Sequence, residues 1–280
     1  MVKISADSTC DLSQELIQRY AITVQPLYIT KDDRSFLDGV EIFPEDIFAH
    51  VEQTGRLCKT SAVSVEDYTA LFKRLTQDGS EVVHLHISSE MSACYQNAYL
   101  AAQEVPGVYP VDSRSLSTGI GHLAIEGAKL AAQGASGAQI QEALNQLAPR
   151  LEVSFVIERL DYLYKGGRCS AVAALGANLL HLKPCIEVRD GKMGVGRKYR
   201  GSWQKALGEY VRDRLEGRDD IVDERCFLTY STCDAQTLKM VHDAIEKYAS
   251  FKEILVTQAG GTICNHCGPN TLGVLFIRKA

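Results

Sequence analysis

Short apolar runs alternate along the chain with longer stretches whose apolar positions recur every three or four residues. This is the pattern of an α/β protein. Val2 to Ala6 reads as a strand, followed by a helix from about Leu12 to Tyr20 with Ser13 as its cap. Ile22 to Ile29 reads as the next strand. Pro44 opens a helix that stops near Gly55, following the preference for proline first and glycine last. Ser64 caps a helix ending before Gly79, and Val82 to Ile87 is a strand of the buried type. A helix over Ser92 to Glu104, a strand over Gly107 to Val111, and helices over Ser117 to Gln133 and Ser136 to Leu147 complete the first half.

Past Pro149 the pattern changes. Lys183 to Val188 and Met193 to Tyr199 flank Asp190-Gly191, a pair that supplies the positive φ angles of a hairpin turn. Ser202 to Leu215 and Asp234 to Ala249 are amphipathic helices, and Cys226 to Tyr230, Glu253 to Thr257 and Leu272 to Ile277 read as strands. The expectation is two α/β domains sharing a cleft, residues 1–150 with a mainly parallel sheet and residues 151–280 with a mixed one. A length of 280 residues agrees with two domains of about 150 residues each.

Composition narrows the function. Lys and Arg number 30 against 35 Asp and Glu, a net charge of −5, which argues against a nucleic-acid binder. No run approaches the roughly 18 apolar residues of a membrane span. The start, Met1-Val2-Lys3-Ile4-Ser5-Ala6-Asp7, has no apolar signal core, so a cytoplasmic location is expected. The nine cysteines, an odd count without a repeating spacing, are expected to be free thiols.

The candidate chemistry lies in small polar residues at strand ends. Asp7-Ser8-Thr9 follows the first strand, Lys59-Thr60-Ser61 precedes a helix, Ser88 to Ser92 joins a strand to a helix, and Asp112-Ser113-Arg114-Ser115 does so again. Ligands of open parallel sheets bind at the carboxyl ends of the strands, and hydroxyls with free helix amides suit a carboxylate or phosphate. The same residues also serve as ordinary helix caps. His266 lies in the glycine-flanked stretch Gly260 to Pro269, read as a tight loop, where it can donate to an anion or act in acid–base chemistry. Cys264 and Cys267 have a C-x-x-C spacing that serves zinc or thiol exchange, without the second pair that structural zinc requires. His84 and His86 read as packed strand residues. Lys165-Gly166-Gly167-Arg168 is a tight turn between cations, and Lys192 to Lys205 carries five bases, Arg200 among them, and no acid. Such a patch on an acidic protein suits an acidic partner or a solvated face. Walker A and nucleophile-elbow motifs are absent from the sequence.

In this order the motifs resemble the DegV family of fatty-acid-binding proteins. The matching stretches are Asp7-Ser8-Thr9-Cys10-Asp11-Leu12, Lys59-Thr60-Ser61 with Ser64, Ile87-Ser88-Ser89 through Ser92 to Ala98, and Val111-Asp112-Ser113-Arg114. They continue with Leu160-Asp161-Tyr162-Leu163, Lys165 to Arg168, Leu182-Lys183-Pro184, and His266 with Gly268-Pro269. The resemblance implies two α/β domains with one fatty acid held between them, and a carrier rather than an enzyme. FakB-type members present the bound acid to a separate ATP-using kinase subunit that makes an acyl phosphate. The family's carboxylate-binding residues fall on Thr60, Ser92 and His266, and Arg168 and Arg200 are candidates for contact with the kinase or the headgroup. Neither cofactor nor metal is implied. The apolar stretch Ala171 to Leu182 is a candidate tail lining. Ser92-Ala93-Cys94 departs from the frequent Ser-Gly-Thr, Cys58 from a proline, and Asn270-Thr271 from Gly-Ala. A hydrolase or transferase using His266 as base, and a thiol or zinc protein using Cys264 and Cys267, are the alternatives from other classes.

Overall fold

The computed structural model describes residues 1–169 and 182–280. The chain divides into two compact units that are discontinuous in sequence. The first comprises Met1–Phe43, Cys58–Pro149 and Gly260–Thr262; the second comprises Pro44–Leu57, Arg150–Ala259 and Ile263–Ala280.

The chain begins with β1 (Val2–Asp7), α1 (Gln14–Arg19), β2 (Thr23–Gln25), β3 (Tyr28–Lys31), β4 (Arg34–Leu37) and α2 (Pro44–Thr54). It continues with β5 (Lys59–Ser61), α3 (Val65–Thr76), β6 (Glu81–His86), α4 (Cys94–Glu104), β7 (Val108–Asp112), α5 (Thr118–Ala132) and α6 (Gly137–Leu147). All of these except α2 lie in the first unit. Its main sheet runs β2-β1-β6-β7 with every pair parallel. A parallel sheet must be covered on both faces, which is why its strands are nearly all apolar. Ile4, Ala6, Val82, Val83, Leu85 and Val111 are buried, and the helix pairs α3–α4 and α5–α6 pack on the sheet. Ser13, Ser64 and Ser136 cap α1, α3 and α6 as their positions suggest, Ser136 in a full capping box with Gln139.

One expected strand is two. The run from Ile22 to Ile29 breaks at Pro26, which has no N–H to extend the ladder. Leu27 then donates its amide to Ser8 Oγ (3.2 Å), and β3 leaves to pair with β4 and β5 in a separate antiparallel sheet. The Lys59-Thr60-Ser61 motif is thus a strand, with Thr60 opposite Ile29.

The remaining elements are β8 (Leu151–Ile157), α7 (Leu160–Gly166), β9 (Leu182–Arg189), β10 (Lys192–Arg200), α8 (Trp203–Leu215) and β11 (Ile221–Tyr230). They are followed by α9 (Ala235–Tyr248), β12 (Ile254–Gln258), α10 (Gly261–Cys267) and β13 (Thr271–Arg278). The second unit's sheet is mixed, ordered β10-β9-β8-β13-β11-β12, antiparallel except for the β11–β12 pair. The hairpin turn has positive φ at Asp190 (50°) and Gly191 (80°), as the Asp-Gly pair requires. The apolar patterning did not single out β8, an interior strand, or α7, which is only two turns long. The Gly260 to Pro269 stretch is not the expected loop, for α10 occupies most of it.

Helices α8 and α9 pack together, and Leu207, Tyr210, Val211, Val241 and Ile245 join Val156, Leu228, Val274 and Phe276 in one core. Tyr210 is buried whole because its hydroxyl is fully used. It donates to the Ser154 carbonyl (2.8 Å) and accepts from the Val274 amide (2.9 Å). An unpaired phenol there would cost about 1–3 kcal/mol. Among the described residues no helix is long and apolar enough to cross a membrane.

Candidate functional site

The strand order of the first unit reverses between β1 and β6, and in such sheets the carboxyl ends beside the reversal form the ligand crevice. Most of the strand-end hydroxyls there are committed to internal bonds. Ser8 Oγ donates to Asp38 Oδ2 (2.9 Å), Ser89 Oγ to Asp112 Oδ2 (2.6 Å) and Ser117 Oγ to Asp11 Oδ2 (2.5 Å). Ser113 and Ser115 are buried in a local turn. Thr60 on β5 and Ser92, just before α4, remain partly exposed. Ser92 Oγ donates to Cys94 Sγ (3.2 Å) and accepts from the Cys94 amide (3.3 Å). Asn97 Nδ2 donates to the Val63 carbonyl (2.7 Å), which ties α4 to the segment that follows Thr60.

Beneath Ser92 lies a buried polar network that the sequence reading did not assemble. Asp7, Tyr68, His84, His86 and Cys94 have essentially no exposed surface. Tyr68 Oη donates to Asp7 Oδ1 (2.7 Å), His84 Nε2 lies 3.2 Å from the same oxygen, and Ser5 Oγ lies 2.7 Å from His84 Nδ1. His86 Nδ1 lies 3.2 Å from the Val111 carbonyl, and the two imidazole centroids are 4.4 Å apart. Burial works to raise the Asp7 carboxyl, but the bond from His84, the neighbouring imidazoles and the Tyr68 hydroxyl outweigh it and hold Asp7 below its ordinary value. The signal available was the H-x-H spacing on a strand, which puts two imidazoles on one face, with His84 in register opposite Ser5, two residues from Asp7.

A second buried pair, Asp11 and Asp38, holds the segment that starts α10. Asp11 Oδ1 accepts from the Gly260 amide (2.9 Å), and Asp38 Oδ2 accepts from the Thr262 amide (3.2 Å). Burial raises both carboxyls, Asp11 to about 8.

In the second unit His266 lies in the last turn of α10, partly buried, not on an open loop. Burial, with the nearby Arg168 guanidinium, lowers it to about 4, so at neutral pH it is an uncharged imidazole able to donate from one nitrogen. Gly166 of α7 fits against its ring, since a Cβ there would fall 2.5 Å from His266 Nδ1. Gly268 fits against Tyr162 in the same way, with φ of 79° and a Cβ position 2.8 Å from the Tyr162 ring. Gly167 serves a different need, closing α7 in the left-handed conformation with φ of 69°. Arg168 is exposed and donates to the Gly166 carbonyl (2.7 Å).

Arg200 is exposed at the end of β10. The basic run is not wholly unopposed, for Arg197 pairs with Asp213 at 2.7 Å and Lys205 with Glu209 at 3.9 Å. Cys264 and Cys267 are buried, with Cys264 Sγ 3.3 Å from the Ala259 carbonyl. The one group of three metal-capable side chains among the described residues is His242, Asp243 and Glu246, which excludes both cysteines. The proposed tail lining lies outside the described residues except for Leu182.

The model for an uncharacterised protein of the DegV family matches residues 1–279. The chain belongs to the DegV family. A DegV domain-containing protein of Caldanaerobacter subterraneus is 30% identical over 99% of both chains, and one of Staphylococcus aureus is 34% identical over 99% of this chain and 98% of its own. Among solved structures, a fatty-acid-binding DegV family protein of Thermus thermophilus superposes with a TM-score of 0.89 at 31% identity, covering 99% of each chain. A Thermotoga maritima protein whose structure revealed a fatty acid binding function gives 0.83 at 27%, again over 99% of each. A stearic-acid-binding protein of Eubacterium ventriosum gives 0.85 at 26%, over 100% of this chain and 99% of its own.

The DegV motifs therefore have identifiable physical tasks in this chain. Asp7 and Asp11 of the first motif are the two buried acceptors already described. The Lys-Gly-Gly-Arg stretch and the His-Cys-Gly-Pro stretch interlock, each lending a glycine to a ring of the other element. Lys183 of the Leu-Lys-Pro motif pairs with Glu158 (2.9 Å), whose second oxygen accepts from Asn270 Nδ2 (2.7 Å). Asn270 takes up a left-handed φ of 52° and directs its side chain to Glu158.

Proposed function

We propose that this DegV protein is a cytoplasmic carrier that binds one long-chain fatty acid and presents its carboxylate to a separate kinase subunit for acyl-phosphate formation. What supports the reading most is the full-length likeness to DegV proteins that bind fatty acids, the Thermus thermophilus protein at 31% identity above all. In this scheme Thr60, Ser92 and His266 hold the carboxylate by hydrogen bonds, and Arg168 and Arg200 contact the kinase or the acyl-phosphate headgroup.

The local chemistry fits the assignment. Thr60 and Ser92 are hydroxyls that keep partial exposure. His266 is a neutral donor. Neutral donors hold a carboxylate without burying a full countercharge. Each tail methylene contributes about 0.8 kcal/mol of gross drive, reduced by the cost of ordering.

The test is native mass spectrometry of the purified protein, followed by organic extraction. One fatty acid per chain is the expected result. Protein that arrives empty and takes up no added fatty acid overturns the reading. Ser92→Ala and Thr60→Ala should each weaken retention by roughly ten- to a hundredfold, the range for a hydrogen bond to a charged group. Adding ATP, magnesium and the kinase subunit should yield acyl phosphate only when the loaded carrier is present.

A further inference from the structure

Side chains at the ends of three strands hold the turn that leaves α10. Thr271 Oγ1 of β13 donates to the Cys267 carbonyl (3.0 Å), and Ser231 Oγ, just after β11, donates to the Gly268 carbonyl (2.7 Å). The Asn270 amide donates to Thr232 Oγ1 (2.9 Å). Both polar atoms of the Asn270 side chain are bonded as well. Oδ1 accepts from Thr232 Oγ1 (3.3 Å), and Nδ2 donates to Glu158 Oε2 (2.7 Å). The side-chain amide cannot be reversed, because an ionised carboxylate only accepts. Burial works to raise the Glu158 carboxyl, but the bonds from Lys183 and Asn270 outweigh it and hold Glu158 below its ordinary value, so it is ionised at neutral pH. Its other oxygen accepts from Lys183 Nζ on β9 (2.9 Å). Glu158 lies between β8 and α7, so the Asn270–Glu158 bond joins the start of α7 to the exit of α10. These are the two helices that interlock at Gly166 with His266 and at Gly268 with Tyr162.

A ring lodged against a glycine is blocked in one direction only. The contact stops the His266 imidazole from moving toward α7 and does not by itself stop α10 from drawing away. A short hydrogen bond to an ionised oxygen pulls, and it has a direction. We propose that Asn270 and Glu158 are positioning residues for His266: their bond draws the exit of α10 onto the start of α7 and keeps the imidazole where it meets a fatty-acid carboxylate. The proposal rests on the reading of His266 as a carboxylate donor. Lys183 serves the same arrangement. By holding one oxygen of Glu158 it fixes how the other faces Asn270.

The test is an order of affinities at pH 8, with a fluorescent long-chain fatty acid as probe and palmitic acid as competitor. Asn270→Gly keeps the left-handed backbone without strain and loses both side-chain bonds. It should bind about three- to tenfold more weakly than the unaltered protein, a part of the roughly ten- to hundredfold that a full bond to a carboxylate supplies. Asn270→Asp sets a second carboxylate against Glu158 and should bind more weakly still. Adding Glu158→Gln to Asn270→Asp exchanges the amide and the acid. The amide at 158 then donates to the carboxylate at 270, its oxygen still accepts from Lys183, and the carboxylate accepts from Thr232. This double variant should return to within about twofold of the unaltered protein. In a His266→Ala background the whole series should be silent, because coupled residues are non-additive whereas an independent packing defect is not.

Circular dichroism and urea midpoints confirm that each variant is folded, and Asn270→Gly with and without His266 decides the matter even if Asn270→Asp fails to fold. Unchanged affinity in Asn270→Gly, no recovery in the exchanged pair, or the same losses with His266 absent overturns the proposal. His266→Ala alone separates it from the reading beneath it. If that variant binds as tightly as the unaltered protein, the role of His266 itself is wrong. If it binds weakly and the residue 270 series is flat, only the positioning bond is wrong.

Discussion

Replacing Gly166 by alanine perturbs His266 without substituting it. The added Cβ would stand 2.5 Å from Nδ1, 3.4 Å from Cε1 and 3.5 Å from Cγ, where ordinary contact begins at 3.4 Å. The imidazole must therefore retreat by about 0.9 Å. Overpacking of this kind costs about 1–3 kcal/mol. Gly→Ala at a helical position returns about 0.5–1 kcal/mol, leaving a net loss of up to about 2.5 kcal/mol. The single tryptophan, Trp203, opens α8 in the second unit, so its fluorescence in a urea titration follows the unit that holds both residues. If His266 donates to the carboxylate, the shifted ring also loses that bond, and affinity should fall by roughly ten- to a hundredfold. The sign of the stability effect must reverse in a His266→Ala background, where the ring is gone and only the helix gain remains. A Gly166→Ala protein with unchanged midpoint and unchanged affinity refutes the packing argument. A lowered midpoint that stays lowered in the double variant refutes its attribution to the histidine.

Two further outcomes are expected. Asp11 has a folded value of about 8 against an ordinary 3.8, so the folded chain keeps a proton that the unfolded chain has already released. Its contribution is present in full below about pH 4 and is lost as pH rises toward 8; Asp11→Asn cannot ionise, and its urea midpoint should gain on the unaltered protein's as pH rises from about 5 to 8, whereas parallel curves would contradict the buried-acid reading. Of the nine free cysteines eight are buried and Cys233 is partly exposed. A thiol reagent should label Cys233 first and the rest only on unfolding, and rapid labelling of Cys264 or Cys267 in native protein would contradict the burial described.

Much of the fold was legible because local chemistry and tertiary structure agree. Ser13 and Ser64, read as caps, each accept a first-turn amide, and Ser136, Ser202 and Asp234, read as the first residues of their helices, prove to be caps as well. The Asp190-Gly191 turn is where the dihedral preference puts it. The failures fall where tertiary pairing decides. β5 is three residues long and becomes a strand only because β3 lies beside it. Helix α10 carries Gly261 and Thr262 at its start, which read as a loop, and the buried acceptors Asp11 and Asp38, more than 200 residues earlier, satisfy the amides of Gly260 and Thr262. The polar network was visible only as separate letters. Ser5, Asp7, Tyr68, His84 and Cys94 come from four elements, and no spacing in the chain links them.

The interlock of α7 and α10 shows what a sequence motif can conceal. Lys165-Gly166-Gly167-Arg168 reads as a tight turn, yet only Gly167 is there for its dihedral angle. Gly166 is there for space, and the space belongs to His266, about 100 residues later. Gly268 returns the arrangement by making room for Tyr162. Each motif therefore supplies the vacancy that the other fills, and neither holds its ring in place alone. This arrangement helps to fix a neutral histidine by shape. If His266 holds a fatty-acid carboxylate as proposed, orientation by packing has a specific advantage. It does not change when the charge on the ligand does.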